Sequence, residues 1–112
     1  METDVQDAVS AAGTAVLVGR TALLGNSVGA FESTALDDAR KSVATAAADV
    51  LELEVPDSGS RELRDRVVPP VQEAARLIGD LQAGLADGDR RAAAAAVDGL
   101  TRAGEELAGV LR

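Results

Sequence analysis

Apolar residues spaced alternately three and four positions apart run through almost the whole chain, and that spacing commits it to amphipathic helices. In the first segment the stripe is Val5, Val9, Ala12, Val16, Gly19 and Leu23, with Ala8, Ala15 and Ala22 beside it. Thr3 or Asp4 is expected to cap its start, since a short side-chain oxygen accepts from the free N–H groups of a first turn. Gly25, Asn26 and Ser27 supply the stop, with Gly25 suited to a left-handed closing residue. Gly13 and Gly19 each cost about 1 kcal/mol of helix propensity relative to Ala, which close packing of another helix would make tolerable.

A loop is expected over residues 25–33, carrying Val28 and the sole aromatic, Phe31, which would plug one end of the core. The second helix then starts at Ser33 or Thr34, with Asp37 and Asp38 complementing the dipole of its first turn. Its stripe is Leu36, Ala39, Val43, Ala46, Val50 and Leu53. Leu51, Leu53 and Val55 also alternate as in a strand, but the run is short and has no partner strand. Pro56-Asp57-Ser58-Gly59 is the clearest breaker, after which Ser60 is expected to cap a third helix. Leu63, Val67, Val71, Ala74, Leu77, Ile78, Leu81 and Leu85 form its stripe.

Pro69 and Pro70 interrupt that third helix. Neither has an N–H to give, so the carbonyls of Asp65 and Arg66 lose their ordinary donors and a kink is expected. The stripe keeps phase across the pair, which favours a kink over a change of direction. Asp87-Gly88-Asp89 forms the last turn, with Asp89 capping a fourth helix. Ala93, Ala96, Val97, Leu100, Ala103, Leu107, Val110 and Leu111 lie on one side of that helix. Four such segments joined by short turns predict an all-α fold, an antiparallel up-down four-helix bundle that makes residues 1–112 one domain. Alanine-rich stripes bury little area, so the core is thin, and a homodimer through leftover apolar surface is an open option.

Composition narrows the chemistry. The chain has no Cys, His, Trp or Tyr, which removes the usual general base, the thiol nucleophile and the commonest metal ligands. No titratable residue falls on the four stripes, whereas di-metal bundles place Glu and Glu-x-x-His inward. Glu73 is followed three residues on by Arg76 instead. The acid pairs Asp37-Asp38, Glu52 with Glu54, Asp87 with Asp89, and Glu105-Glu106 could each touch a hard cation. Yet Asp87-Gly88-Asp89 lacks the spaced acids and closing Glu of a calcium loop. Arg61, Arg64 and Arg66 suggest an anion site, but Glu62 and Asp65 interleave with them. Glu62 with Arg66, Asp98 with Arg102, and Asp37 with Lys41 are spaced for ion pairs along a solvated face.

A net charge of −8, with a single aromatic, argues against nucleic acid as a partner. No apolar run approaches the roughly 20 residues that cross a bilayer, so no membrane-spanning segment is expected. The expectation is a non-enzymatic module without cofactor or metal, meeting a protein partner. Its contacts would be Val28 and Phe31 in the 25–33 loop, and Pro69 and Pro70 at the bend. The competing expectation is a bundle holding a small apolar molecule between alanine-rich helices.

T-D-V-Q-D-A-V-S-A-A-G-T-A-V over residues 3–16, S-T-A-L-D-D-A over 33–39, L-E-L-E-V-P-D over 51–57 and A-D-G-D-R-R-A-A-A-A-A over 86–96 together resemble small actinobacterial lipoprotein ectodomains. The resemblance implies export and a lipidated Cys following a cleaved signal; it implies no activity and no site residues. Neither signal nor lipobox Cys stands in this sequence. With both upstream of Thr3 the protein is extracytoplasmic and lipid-anchored; with Met1 as its native start it is cytoplasmic.

Overall fold

Asp57, in extended conformation (φ −131°, ψ 165°), opens the longest helix by accepting from the Ser60 N–H at 2.7 Å. The cap therefore stands three residues before the Ser60 expected from the stripe. A carboxylate just after Pro56 satisfies the free donors earlier than a serine hydroxyl could. In the computed structural model, residues 2–25, 30–52 and 57–111 are described, apart from the side chains of 30–32. They form α1 (Glu2–Gly25), α2 (Ala30–Glu52), α3 (Ser58–Asp87) and α4 (Arg90–Val110). The protein is an all-α four-helix bundle.

Two other helix starts differ from expectation. Thr3 and Asp4 lie inside α1, which begins at Glu2, so neither caps it. α2 begins at Ala30 rather than Ser33, because no Gly or Pro stands between Gly29 and Pro56 to hold the chain out of helix. Asp37 is consequently past the first turn of α2. Its carboxylate instead meets Lys41 at 3.0 Å and Arg40 at 3.2 Å, which hold it below the usual carboxylate range. Gly25 ends α1 as a helical residue. Gly88 is the one glycine with positive φ (71°) among those described.

Gly88 closes α3. Its N–H donates to the Leu85 carbonyl at 3.3 Å, and the Asp89 N–H donates to the Gly84 carbonyl at 2.8 Å, the paired bonds of a Schellman motif. Asp89 then turns from closing α3 to opening α4, its carboxylate accepting from the Ala92 N–H at 3.0 Å. α3 runs unbroken through Pro69 and Pro70 for 30 residues, about 45 Å of helix along a bundle axis of 49 Å.

Beside each other lie Ala12 and Gly104, then Gly19 and Val97, so α1 and α4 run in opposite directions. α1 touches all three other helices, while α2 and α4 do not meet among the described residues. The cross-section is a rhombus with α1 and α3 on its short diagonal. Its cause is the α1 seam, which differs from the expected one. Buried on α1 are Val5, Ala8, Ala11, Ala12, Ala15, Gly19 and Ala22, whereas Val9, Val16 and Leu23 are half-buried at the flank. Small residues let α1 sink toward α3, and the larger valines then border the seam instead of filling it. Bulk comes from elsewhere: Leu36, Ile78, Leu81, Leu100 and Leu107 are the largest fully buried side chains, followed by buried valines of all four helices.

On α2 the expected stripe from Leu36 to Val50 is buried, while Leu53 lies outside the described residues. On α3, Leu63 is exposed and Pro70 takes a core place instead; on α4, Gly99 joins the core and Leu111 leaves it. Gly19 packs tightly, but Gly13 faces open space, so the packing expected to offset its helix cost is absent there. No buried residue among those described is polar or charged. By length and composition alone, α1 is apolar enough to cross a bilayer, contrary to expectation. Its most apolar stretch is 39% buried inside the bundle.

Candidate functional site

Among the described residues the interior is apolar, and the polar and charged side chains stand on the surface and at the ends of the bundle. Of the four residues expected to make contacts, Val28 lies outside the described residues. Phe31 belongs to the first turn of α2, not to a loop, and its side chain is likewise not described. Pro69 is exposed and Pro70 buried, so only Pro69 presents an outward ring. The two prolines border a groove of about 400 Å³ between α3 and α4, with Glu73, Leu77, Arg102 and Glu106. Arg76, one turn on, forks between Glu73 and Asp80, 2.9 Å from the latter. That clamp lowers the Glu73 pKa and raises that of Arg76. Both acids are thereby committed to a surface ion pair.

The other expected charge groups are dispersed. Asp89 is used as a cap, and among the described residues no three His, Cys, Asp or Glu side chains gather to hold a metal. Glu105 and Glu106 point to different grooves, one toward α1 and one toward α3. Glu62 and Arg66 do not pair, nor do Asp98 and Arg102; long exposed side chains gain too little from such contacts to give up their rotamers. Arg64 reaches only its neighbour Asp65, at 3.7 Å.

Two surface features were not anticipated. The first is the outer face of α1, where Leu17 is 67% and Leu24 86% exposed. Between Asp7 and Glu32 the only charged residue is Arg20. That uncharged run is the signal in the sequence that points here. It was masked because a seam drawn through the valines leaves no reason to single out Leu17 or Leu24. Beside them a shallow groove of about 260 Å³ separates α1 from α4, bordered by Val9, Gly13, Val16, Arg20, Gly104 and Glu105. A Cβ on Gly13 would meet nothing within 4 Å, and one on Gly104 only the Ala12 Cβ at 3.8 Å.

The second feature is a cleft of about 550 Å³ at the end of the bundle where α1 and α3 finish and α4 begins. Ala22, Leu23, Leu36 and Leu85 give it apolar walls; Ser33, Gln82 and Arg90 add polar edges. Arg90 donates to the Leu23 carbonyl, so a side chain from the first turn of α4 satisfies one of the free acceptors ending α1. At the opposite end, burial raises the pKa of half-buried Asp4 and the charge of Asp49 raises it further. Set beside known proteins, the chain matches no protein-family model, no curated protein and no solved structure.

Proposed function

We propose that this chain is a non-enzymatic helical bundle acting as an interaction or structural module, the soluble part of a cell-envelope lipoprotein. The observation that carries the reading is the outer face of α1, with Leu17 and Leu24 in solvent and a single charge between Asp7 and Glu32. Large apolar side chains grouped on an uncharged face mark a contact surface, since water disfavours them and the core does not need them. Attachment to the envelope is supported by the resemblance of residues 3–16, 33–39, 51–57 and 86–96 to actinobacterial lipoprotein ectodomains. The test is expression from the complete reading frame with labelled palmitate. Label on the protein in the membrane fraction is expected; an unlabelled protein in the cytosol would remove the envelope assignment.

A second reading, a binder of a small apolar molecule, is supported by the cleft at Ala22, Leu36 and Leu85. Thermal shift against fatty acids and isoprenoid alcohols separates the two, because a ligand of the folded state raises Tm. The interaction module predicts a flat panel. A saturable rise lost in Leu36→Ala would favour the binder.

A further inference from the structure

We propose that the opening turns of α3, residues 58–66, unfold locally while the rest of the bundle stays folded, and that Pro69-Pro70 set the boundary of this opening. Three observations carry it. The first is the backbone. In an α-helix each carbonyl accepts from the N–H four residues on. Pro69 and Pro70 have no N–H, so the carbonyls of Asp65 and Arg66 accept no helical bond. Only the N–H groups of Val67 and Val68, reaching back to Leu63 and Arg64, then join these turns to the body of α3. Half of the bonds that would cross this point of the helix are missing.

The second observation is burial. None of residues 58–66 is buried, whereas Val67, Val71, Ala74, Ile78 and Leu81 of the same helix are. Leu63 is the one large apolar side chain of these turns, and it is 37% exposed. It meets Val5 of α1 and Val110 of α4 across a cavity of about 180 Å³ that it leaves unfilled. The third observation is the absence of polar ties. Asp57 caps the turns through the Ser60 N–H, and Arg64 reaches only Asp65. Among the described residues no side-chain hydrogen bond or ion pair crosses from 58–66 to another helix. A helix this short does not hold itself together in water, so little beyond the cap and Leu63 keeps it closed.

The opening leaves the core of α3 in place, because its buried side chains begin at Val67. It uncovers Val5, which is 1% exposed when the turns are closed, together with the inner side of Val110. This goes beyond the interaction-module reading: the bundle carries an apolar patch at this end that is presented only while residues 58–66 are open. Segments with few buried contacts open independently of the global transition in this way.

Native-state hydrogen exchange of the intact chain, followed amide by amide, tests the proposal. Amides of residues 61–68 should exchange through one shared opening, with protection about a hundredfold or more below that of residues 71–85. Ile78→Val, in the core, should lower protection of 71–85 by about twofold to tenfold and leave 61–68 unchanged. Asp57→Ala should lower protection of 61–68 about fivefold through loss of the cap, and Pro69→Ala should raise it about fivefold or more. The chain has no Cys, so Val5→Cys supplies a single thiol. Its reaction with a disulfide reagent should slow about fivefold in the Pro69→Ala background and ignore Ile78→Val. Protection of 61–68 that falls with Ile78→Val as that of 71–85 does would overturn the proposal, since α3 would then open only as a whole. Protection that climbs steadily from residue 61 and ignores Pro69→Ala would overturn it in favour of simple end fraying. A Val5→Cys thiol indifferent to Pro69→Ala would overturn the uncovering of Val5.

Discussion

Gly19 on α1 lies directly against Val97 on α4: a Cβ built on Gly19 would come within 2.7 Å of a Val97 methyl and 3.0 Å of Leu81. The contact with Leu81 of α3 crosses the short diagonal of the bundle, and the two contacts together hold α1 in an alanine and glycine seam. Such contacts also rank the glycines by consequence.

Gly84→Ala should be the most damaging of them. Its added methyl would lie 2.9 Å from the backbone nitrogen of Ala93, where no rotamer change can relieve it. A loss of about 1–3 kcal/mol is expected from such overpacking. Gly99→Ala meets only the flexible end of Leu77 and should cost less. Gly13→Ala, with nothing within 4 Å, should stabilise by up to about 1 kcal/mol through helix propensity. Urea unfolding of the three variants checks the order, and a Gly84→Ala chain as stable as the native one would contradict the close approach of α3 to α4.

Pro69→Ala should raise stability by about 1 kcal/mol or more, because it restores a donor for the Asp65 carbonyl at an exposed position where the ring packs little. Pro70→Ala should gain less, since the same restored donor comes with loss of a buried ring. Thermal melts of the two variants should place Pro69→Ala above Pro70→Ala.

Asp4 and Asp57 should respond to pH in opposite senses. Asp57 is pulled below the usual carboxylate value by the Ser60 N–H, so its stabilisation is complete above that value and fades as pH falls through the folded one. The deficit of Asp57→Ala should accordingly be largest at neutral pH and shrink in acid. Asp4 is raised, chiefly by desolvation and then by Asp49, so its favourable contribution exists only in acid and is lost as pH rises through its folded value. Asp4→Asn should therefore raise Tm at pH 7, with the advantage disappearing in acid. A Tm gain for Asp4→Asn that is independent of pH would contradict the carboxylate origin of the effect.

The residues that were legible and those that were not differ in physical kind. α2 and α4 could be read because their stripes mix Leu and Val with Ala, so the most apolar line is also the buried one. α1 misled because its valines lie along one line and its smallest residues along the next, and helix approach selected the small ones. Asp89 was evident as a cap, standing alone between Gly88 and a run of Arg and Ala. Asp57 was obscured by Ser58 and Ser60, either of which has a suitable side chain. Leu17 and Leu24 became visible as a surface only once the seam was placed, because their exposure depends on how far α1 is rotated.

The account depends most on the outer face of α1 being a contact surface and not part of the core. Thermal and urea melts of the native chain and of the Leu17→Glu/Leu24→Glu double variant test this directly. The double variant should keep its helical signal and lie within about 0.5 kcal/mol of the native chain, as expected for substitutions on a solvent-exposed face. A double variant that fails to fold, or that loses several kcal/mol, would contradict it.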